Sequence, residues 1–252
     1  MESEVLSLLC DPDSRYSFEA DGTTLRNVAT GRVYPMRDGI PLFVSSLTGR
    51  DLRAQTLYDR LAPIYDLMLA VRQKLNQTPN PRPKYLALLE AAPGSRVLEV
   101  GVGTGANLPF LPADIDFYGV DISWAMLRRC RSNLKKWGRS AHLYQCEAAH
   151  LPFRASVFDC VLQSRGIRNF TWPERAVREM IWVACPGARI VIVDDAPQRA
   201  HQDSTASGGG PQSIVEWIPE EMEQVEVHSL ENGAIECVSF RKPFAPEEDP
   251  GD

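Results

Sequence analysis

Arg96-Val-Leu-Glu-Val-Gly-Val-Gly-Thr-Gly-Ala106 is the stretch on which the reading of this chain turns. Arg96 to Val100 has the length and apolar character of a short buried strand, with Glu99 near its C-terminal end. Gly101, Gly103 and Gly105 follow, and Ala106 to Leu111 reads as the start of a helix. Glycines behind a strand let the backbone turn tightly and approach a ligand without side chains in the way. The spacing is G-x-G-x-G behind an acid, not the G-x-G-x-x-G of dinucleotide folds. A pyrophosphate seeks a helix N-terminus. A carboxylate at the strand tip repels one and suits a ligand that carries an ammonium or sulfonium.

Two further strand tips extend the pattern. Phe117-Tyr-Gly-Val-Asp121 reads as the next strand and ends in a second acid. In nucleotide-binding α/β folds, an acid about 20 residues beyond the glycine loop takes the ribose hydroxyls. Leu143-Tyr-Gln-Cys146 reads as a third strand and runs into Glu147, Ala148 and His150. Polar strand tips at regular spacing form one crevice along the C-terminal edge of a parallel sheet.

With these residues in place, the chain resembles the class I S-adenosylmethionine-dependent methyltransferases. The motifs are Glu99-Val-Gly-Val-Gly-Thr-Gly105, Gly119-Val-Asp-Ile-Ser123 with Ala125-Met-Leu127, and Glu147-Ala-Ala-His-Leu-Pro-Phe153. The resemblance implies an α/β fold: a seven-stranded, mostly parallel Rossmann-like sheet with a terminal antiparallel hairpin. It implies S-adenosyl-L-methionine as cofactor, with the methionine part cradled by the glycine loop of Gly101, Gly103 and Gly105. Asp121 would hold both ribose hydroxyls, Ile122 would pack on the adenine, and Glu147 and Ala148 would flank its amino edge, with Glu99, Asn107 and Met126 as further cofactor-binding residues. Gln163, at the tip of the fourth strand, completes that set.

A narrower likeness lies after the fourth strand. Gly166-Ile-Arg-Asn169 resembles the Gly-Leu-Arg-Asn signature of the ubiquinone/menaquinone-biosynthesis C-methyltransferases, and Leu57-Tyr-Asp-Arg-Leu-Ala-Pro-Ile-Tyr-Asp66 is similar to that family's lid helix. The likeness implies a quinol or phenol-like acceptor, with Arg168, Asn169 and Tyr65 around its ring. Arg168 would then lie over the crevice, near the transferred methyl. Arg165 stands where that signature has an aromatic residue. Asp203-Ser-Thr-Ala-Ser-Gly-Gly-Gly-Pro211, read as flexible linker, replaces the family's helical cap. Arg168 and Asn169 are also suited to tying loop carbonyls, and Tyr65 to packing the lid. The glycine loop also resembles that of bacterial phospholipid N-methyltransferases, so an amine acceptor is the alternative reading. A non-catalytic cofactor-binding partner subunit is a third.

Composition frames these readings. The 252 residues suffice for one α/β domain and a small appendage, and 44% hydrophobic residues supply a sizeable core. The net charge of −6 gives no general pull towards nucleic acid. Met1-Glu-Ser-Glu4 is an acidic start unlike a signal peptide, and no apolar run reaches the ~20 residues of a membrane span. The six cysteines are scattered without a C-x-x-C, which fits a cytoplasmic protein with reduced thiols and no metal. The expected partner is a small-molecule methyl acceptor, with a homodimer allowed.

Residues 1–46 read as a small β-rich module with turns at Asp21-Gly22 and Thr30-Gly31. Val33 to Pro41 resembles the closing strand of small zinc-ribbon-like proteins, here without metal because Cys10 has no neighbouring thiol. Residues 47–82 read as a helical lid broken near Pro63, and 83–245 as the cofactor-binding domain. Within it, Ser123 caps a helix to Trp137 stopped by Gly138, and Thr171 caps another over Pro173. A hairpin turns at Glu231-Asn-Gly233, and 246–252 is expected to be a disordered tail.

Overall fold

A computed structural model describes residues 2–44, 47–76, 79–197 and 213–244. The Ser-Gly stretch at 203–211 and the 246–252 tail lie outside the described residues. The short helix α1 (Ser3–Ser7) leads into a four-stranded antiparallel sheet of β1 (Phe18–Ala20), β2 (Thr24–Asn27), β3 (Val33–Arg37) and β4 (Ile40–Pro41), in that order. The lid helices α2 (Gly49–Leu61) and α3 (Tyr65–Asn76) follow, then the short α4 (Arg82–Ala87). The remaining elements are β5 (Arg96–Val100), β6 (Asp116–Asp121), α5 (Trp124–Trp137), β7 (His142–Gln145), β8 (Phe158–Ser164), α6 (Pro173–Val183), β9 (Ala184–Asp195), β10 (Glu223–Leu230) and β11 (Ile235–Arg241).

The large sheet has the order β10-β11-β9-β8-β5-β6-β7, with β5 through β9 parallel and the final hairpin antiparallel. The chain order reverses between β5 and β8, so the tips of β5, β6 and β8 open on one crevice. The central strands bury both faces: Val97, Leu98, Val100, Val161, Leu162 and residues 190–193 are all inaccessible. Local signals explain α5. Ser123 Oγ accepts from the Met126 N–H at 3.1 Å, and Gly138 closes the helix in a left-handed conformation, φ 62°.

Several local expectations are corrected. The glycine loop does not open a true helix: only the single 3-10 turn Leu108–Phe110 forms, because Pro109 and Pro112 remove the donors a longer helix needs. Val33 to Pro41 is not one strand but a hairpin, β3 and β4, turned by Asp38 and Gly39, both at positive φ. Thr171 does not cap α6. Its hydroxyl accepts instead from the Asp51 N–H at 3.1 Å, and Asp51 Oδ1 accepts from the Thr171 N–H at 3.2 Å, so this residue ties the lid down.

The N-terminal sheet is built into the same core as the large one. Phe18, Tyr34 and Phe43 pack edge-to-face and tilted on one another, and they belong to one apolar cluster with Tyr118, Tyr144 and Phe153. Leu42 bridges Gln145 in parallel, and the Phe43 N–H donates to the Gln145 carbonyl at 2.8 Å. The module thereby covers β7, which would otherwise be an open sheet edge. Its own loop is closed by a carboxylate. Asp11 accepts from the Asp13 and Ser14 N–H groups and from the Tyr34 hydroxyl, which hold it below the usual carboxylate range against the penalty of burial.

Candidate active site

A cavity open to solvent lies over the tips of β5, β6 and β8 beneath the lid. Its floor is the glycine loop. Gly103 has φ 54° and open space where a Cβ would stand, so the bare backbone faces the cavity. Gly105, φ 78°, faces away from it. A Cβ there would lie 2.8 Å from Cys130 Sγ on α5, so this glycine serves the packing of loop on helix.

Glu99 is buried at the tip of β5 with 1% of its surface exposed. Its Oε1 accepts from Asn107 Nδ2 and, at 3.3 Å, from Ser164 Oγ. Asn107 is fixed in turn by the Tyr85 hydroxyl, which donates to Oδ1 at 2.7 Å. Glu99 Oε2 is buried and has no partner among the described residues. Burial pushes the Glu99 carboxyl up to about 8, against the lowering effect of those two donors. On the same cavity wall, near enough for its charge to act on Glu99, Arg82 has a buried Nε without a partner among the described residues. A buried orphan acceptor and a buried orphan donor on one cavity wall suit a ligand that brings both an ammonium and a carboxylate.

Asp121 stands at the tip of β6. Its Oδ2 accepts from the Gly103 N–H and its Oδ1 from the Ser123 N–H, each at 2.8 Å. Burial raises its pKa to about 6, opposed by those two backbone donors. The lid reaches this loop directly. Gln55 Nε2 donates to the Ile122 carbonyl at 3.1 Å, and Asp59 accepts from the Ser123 hydroxyl and the Ala125 N–H at the start of α5. Asp66 on α3 accepts from Arg129 at 2.8 Å and from Asn133 at 3.0 Å.

Of the expected cofactor residues, Glu99, Gly101, Gly103, Asn107, Asp121, Ile122, Met126 and Ala148 line the cavity. Gly105, Glu147 and Gln163 do not. Glu147 is half-buried and faces His150 at 3.4 Å. Gln163 is fully buried between strands, with neither amide atom partnered among the described residues. Tyr65 and Asn169 line the cavity. Arg168 does not. Its guanidinium donates to Glu236 on β11 at 2.6 Å and to the Asp195 carbonyl at 3.1 Å, and lies over the Trp217 ring. The expectation of Arg168 over the crevice is corrected: this side chain knits the fourth strand's loop to β9, β11 and the 3-10 turn Ile214–Trp217.

Among the lining residues that the sequence reading did not place at the site are Tyr58, Arg82, Tyr85 and Ser164. Tyr58 is the lid tyrosine beside Asn169, its hydroxyl pushed up to about 12 by burial. Its place in the Leu57-Tyr-Asp-Arg-Leu-Ala-Pro-Ile-Tyr-Asp66 lid motif, which holds both tyrosines, was the available signal. Arg165, flagged by sequence as a departure, also lines the cavity, at φ 61° and with Nη1 2.9 Å from Asp195.

The lid is tied to the body by a series of polar contacts. No residue of α2 is buried. Elements with little buried apolar surface open at low free energy. Amides of residues 49–76 are therefore expected to exchange with solvent at least roughly a hundredfold faster than those of β5 and β8, and to slow when the cavity is filled. Lid amides as protected as the central strands, read by hydrogen exchange with mass spectrometry, would refute a moving lid.

Among the described residues, no group of three or more His, Cys, Asp or Glu side chains is placed to hold a metal, and no helix is long and apolar enough to cross a membrane. Residues 97–187 match the family model described as a methyltransferase domain. The chain is 32% identical over 151 residues to a demethylmenaquinone methyltransferase of Renibacterium salmoninarum, covering 60% of this chain and 62% of that one. It is 37% identical over 139 residues to a phosphatidylethanolamine N-methyltransferase of Cereibacter sphaeroides, covering 54% and 65%. The chain thus spans less than two thirds of the length of these curated relatives. In fold it is similar to the [4+2]-cyclase SpnF, with a TM-score of 0.64 at 15% identity over 80% of this chain and 100% of that one.

Proposed function

We propose that this chain, whose residues 97–187 match a methyltransferase-domain family model, is a class I S-adenosylmethionine-dependent methyltransferase and transfers a methyl group from S-adenosyl-L-methionine to a small aromatic acceptor, a quinol or phenol. The observation that carries the reading is the mixed chemistry of the cavity wall. It offers Glu99 Oε2 and Arg82 Nε, both buried and without a partner among the described residues, beside the open glycine loop. Tyr58, Tyr65, Leu69 and Phe170 add aromatic and apolar surface to the same lining.

The residues fit the cofactor. Glu99 and Arg82 would hold its ammonium and carboxylate, and Asp121 its ribose hydroxyls. Ile122, Met126 and Ala148 supply apolar surface for the adenine. The cofactor supplies a methyl already activated on a sulfonium, so the protein's task is alignment. The lid excludes water through its ties to Ile122, Ser123 and Thr171. On the acceptor side, Tyr58, Tyr65 and Phe170 would flank a planar ring, with Asn169 and Arg165 as polar contacts. Arg168 would act as a positioning residue, holding the loop that presents Asn169.

The likeness to a phosphatidylethanolamine N-methyltransferase favours a second reading, an amine acceptor on a lipid. Calorimetry with S-adenosylhomocysteine tests the cofactor assignment directly. Asp121→Ala should weaken binding by about 1–3 kcal/mol, the cost of losing charge-assisted hydrogen bonds in a desolvated site. No heat and no thermal shift at saturating ligand would overturn the assignment. A methyl-transfer screen across quinols, phenols and phosphatidylethanolamine then separates the two acceptors.

A further inference from the structure

We infer that the outer face of the lid is a docking surface for an anionic lipid bilayer. The inference does not depend on which acceptor is methylated. Ile64, Leu67, Met68 and Val71 follow the i, i+3, i+4, i+7 spacing of one helical face. Ile64 belongs to that register, because its carbonyl accepts from the Met68 N–H at 2.9 Å. In an ordinary surface helix such a stripe packs on the core. Here it points to solvent: the four are 50%, 66%, 44% and 46% exposed. The inward side of α3 is occupied by Tyr65 and Leu69, which line the cavity, and by Asp66, which bonds Arg129 and Asn133. The apolar stripe is therefore on the wrong side of the helix to serve the fold.

Charge selects the occupant. The two lid helices contain three aspartates, and all three are bonded to the body: Asp51 to Thr171, Asp59 to Ser123 and Ala125, Asp66 to Arg129 and Asn133. The lid's cations are not neutralised in this way. Arg50, Arg53, Arg60 and Lys74 are exposed, and none has an ion-pair partner among the described residues. Lys74, three residues beyond Val71, continues the spacing of the stripe. The lid thus carries exposed apolar side chains and un-neutralised cations, on a chain whose net charge is −6. Screening over about 8 Å lets a surface respond to this local patch rather than to the total charge. An apolar face bordered by Lys and Arg lies in the headgroup region of an anionic membrane. A second copy of the chain fits poorly, because a two-fold contact would set the same cations against each other.

Vesicle co-sedimentation of the full chain tests this. Vesicles containing phosphatidylglycerol should bind at least about tenfold more protein than vesicles of phosphatidylcholine alone, and high salt should weaken the association. The double variant Leu67→Glu, Met68→Glu should lose the binding while keeping its thermal shift with S-adenosylhomocysteine. The triple variant Arg53→Gln, Arg60→Gln, Lys74→Gln, which leaves the apolar stripe intact, should also bind at least severalfold less. No association with either vesicle overturns the inference, as does association that these variants leave unchanged. So does light scattering showing that Leu67→Glu, Met68→Glu breaks an oligomer rather than a lipid contact.

Discussion

Arg168→Ala is expected to destabilise the protein by about 3–5 kcal/mol, because it leaves the buried Glu236 carboxylate without its cation. The side chains of the pair are only 14% and 10% exposed, and their closest approach is 2.6 Å. Glu236 also accepts from the Ser213 hydroxyl and from the Ile214 N–H at 3.2 Å, so one carboxylate holds both the arginine and the start of a 3-10 turn. Asp194 accepts from the Arg168 N–H at 3.1 Å, and burial raises its pKa against that donor. For a chain of this size the loss corresponds to a fall of roughly 6–20 °C in Tm. Replacing both partners with apolar residues, Arg168→Met with Glu236→Leu, should recover most of it, since a buried pair is costly mainly when one half is left behind. A ring-contacting catalytic arginine gives the opposite pattern: Arg168→Ala would keep its Tm and its cofactor affinity and lose turnover. Thermal melts of the single and double variants, with calorimetry on S-adenosylhomocysteine, decide between them.

Glu99→Gln should weaken S-adenosylhomocysteine by at least roughly 2 kcal/mol, or about thirtyfold, the cost of removing one side of a buried charge pair. The shift of Glu99 to about 8 adds a pH signature. In the empty site the carboxyl is protonated at neutral pH, and an arriving ammonium favours the ionised form. Binding should therefore release a proton, and affinity should rise with pH up to about 8. Calorimetry in buffers of different ionisation enthalpy reads the proton directly. The stability of the empty protein has a definite sign. The folded pKa lies above the ordinary carboxylate value, so the group's contribution is fully present below that ordinary value and is lost as pH rises through about 8. Glu99→Gln has no such loss, and its Tm advantage should grow between about pH 5 and about pH 9. An affinity independent of pH over that range, with no proton released, would contradict the placement of the ammonium against Glu99.

Sequence alone determined the sheet and the glycine-loop edge of the crevice. Glu99, the glycine loop and Asp121 are set by local chemistry: strand tips, tight turns and the spacing between them. Burial on both faces marks the parallel strands as apolar runs, and the caps of α5 are single residues that act on their own neighbours. What sequence misplaced were matters of direction and of distant partners. The helix expected after the glycine loop shrank to one turn at Pro109 and Pro112. Thr171, a fitting cap by type, was drawn off by Asp51, 120 residues away. Arg168 and Arg165 stand three residues apart on one loop, yet one turns to Glu236 and the other to the cavity. No local pattern encodes that choice. It is made by a carboxylate on β11, 68 positions further along, which reaches the loop only because β11 pairs with β9 and β9 with β8. A residue's type and spacing are written in the chain, but a long side chain takes its direction from the charge that folding brings beside it.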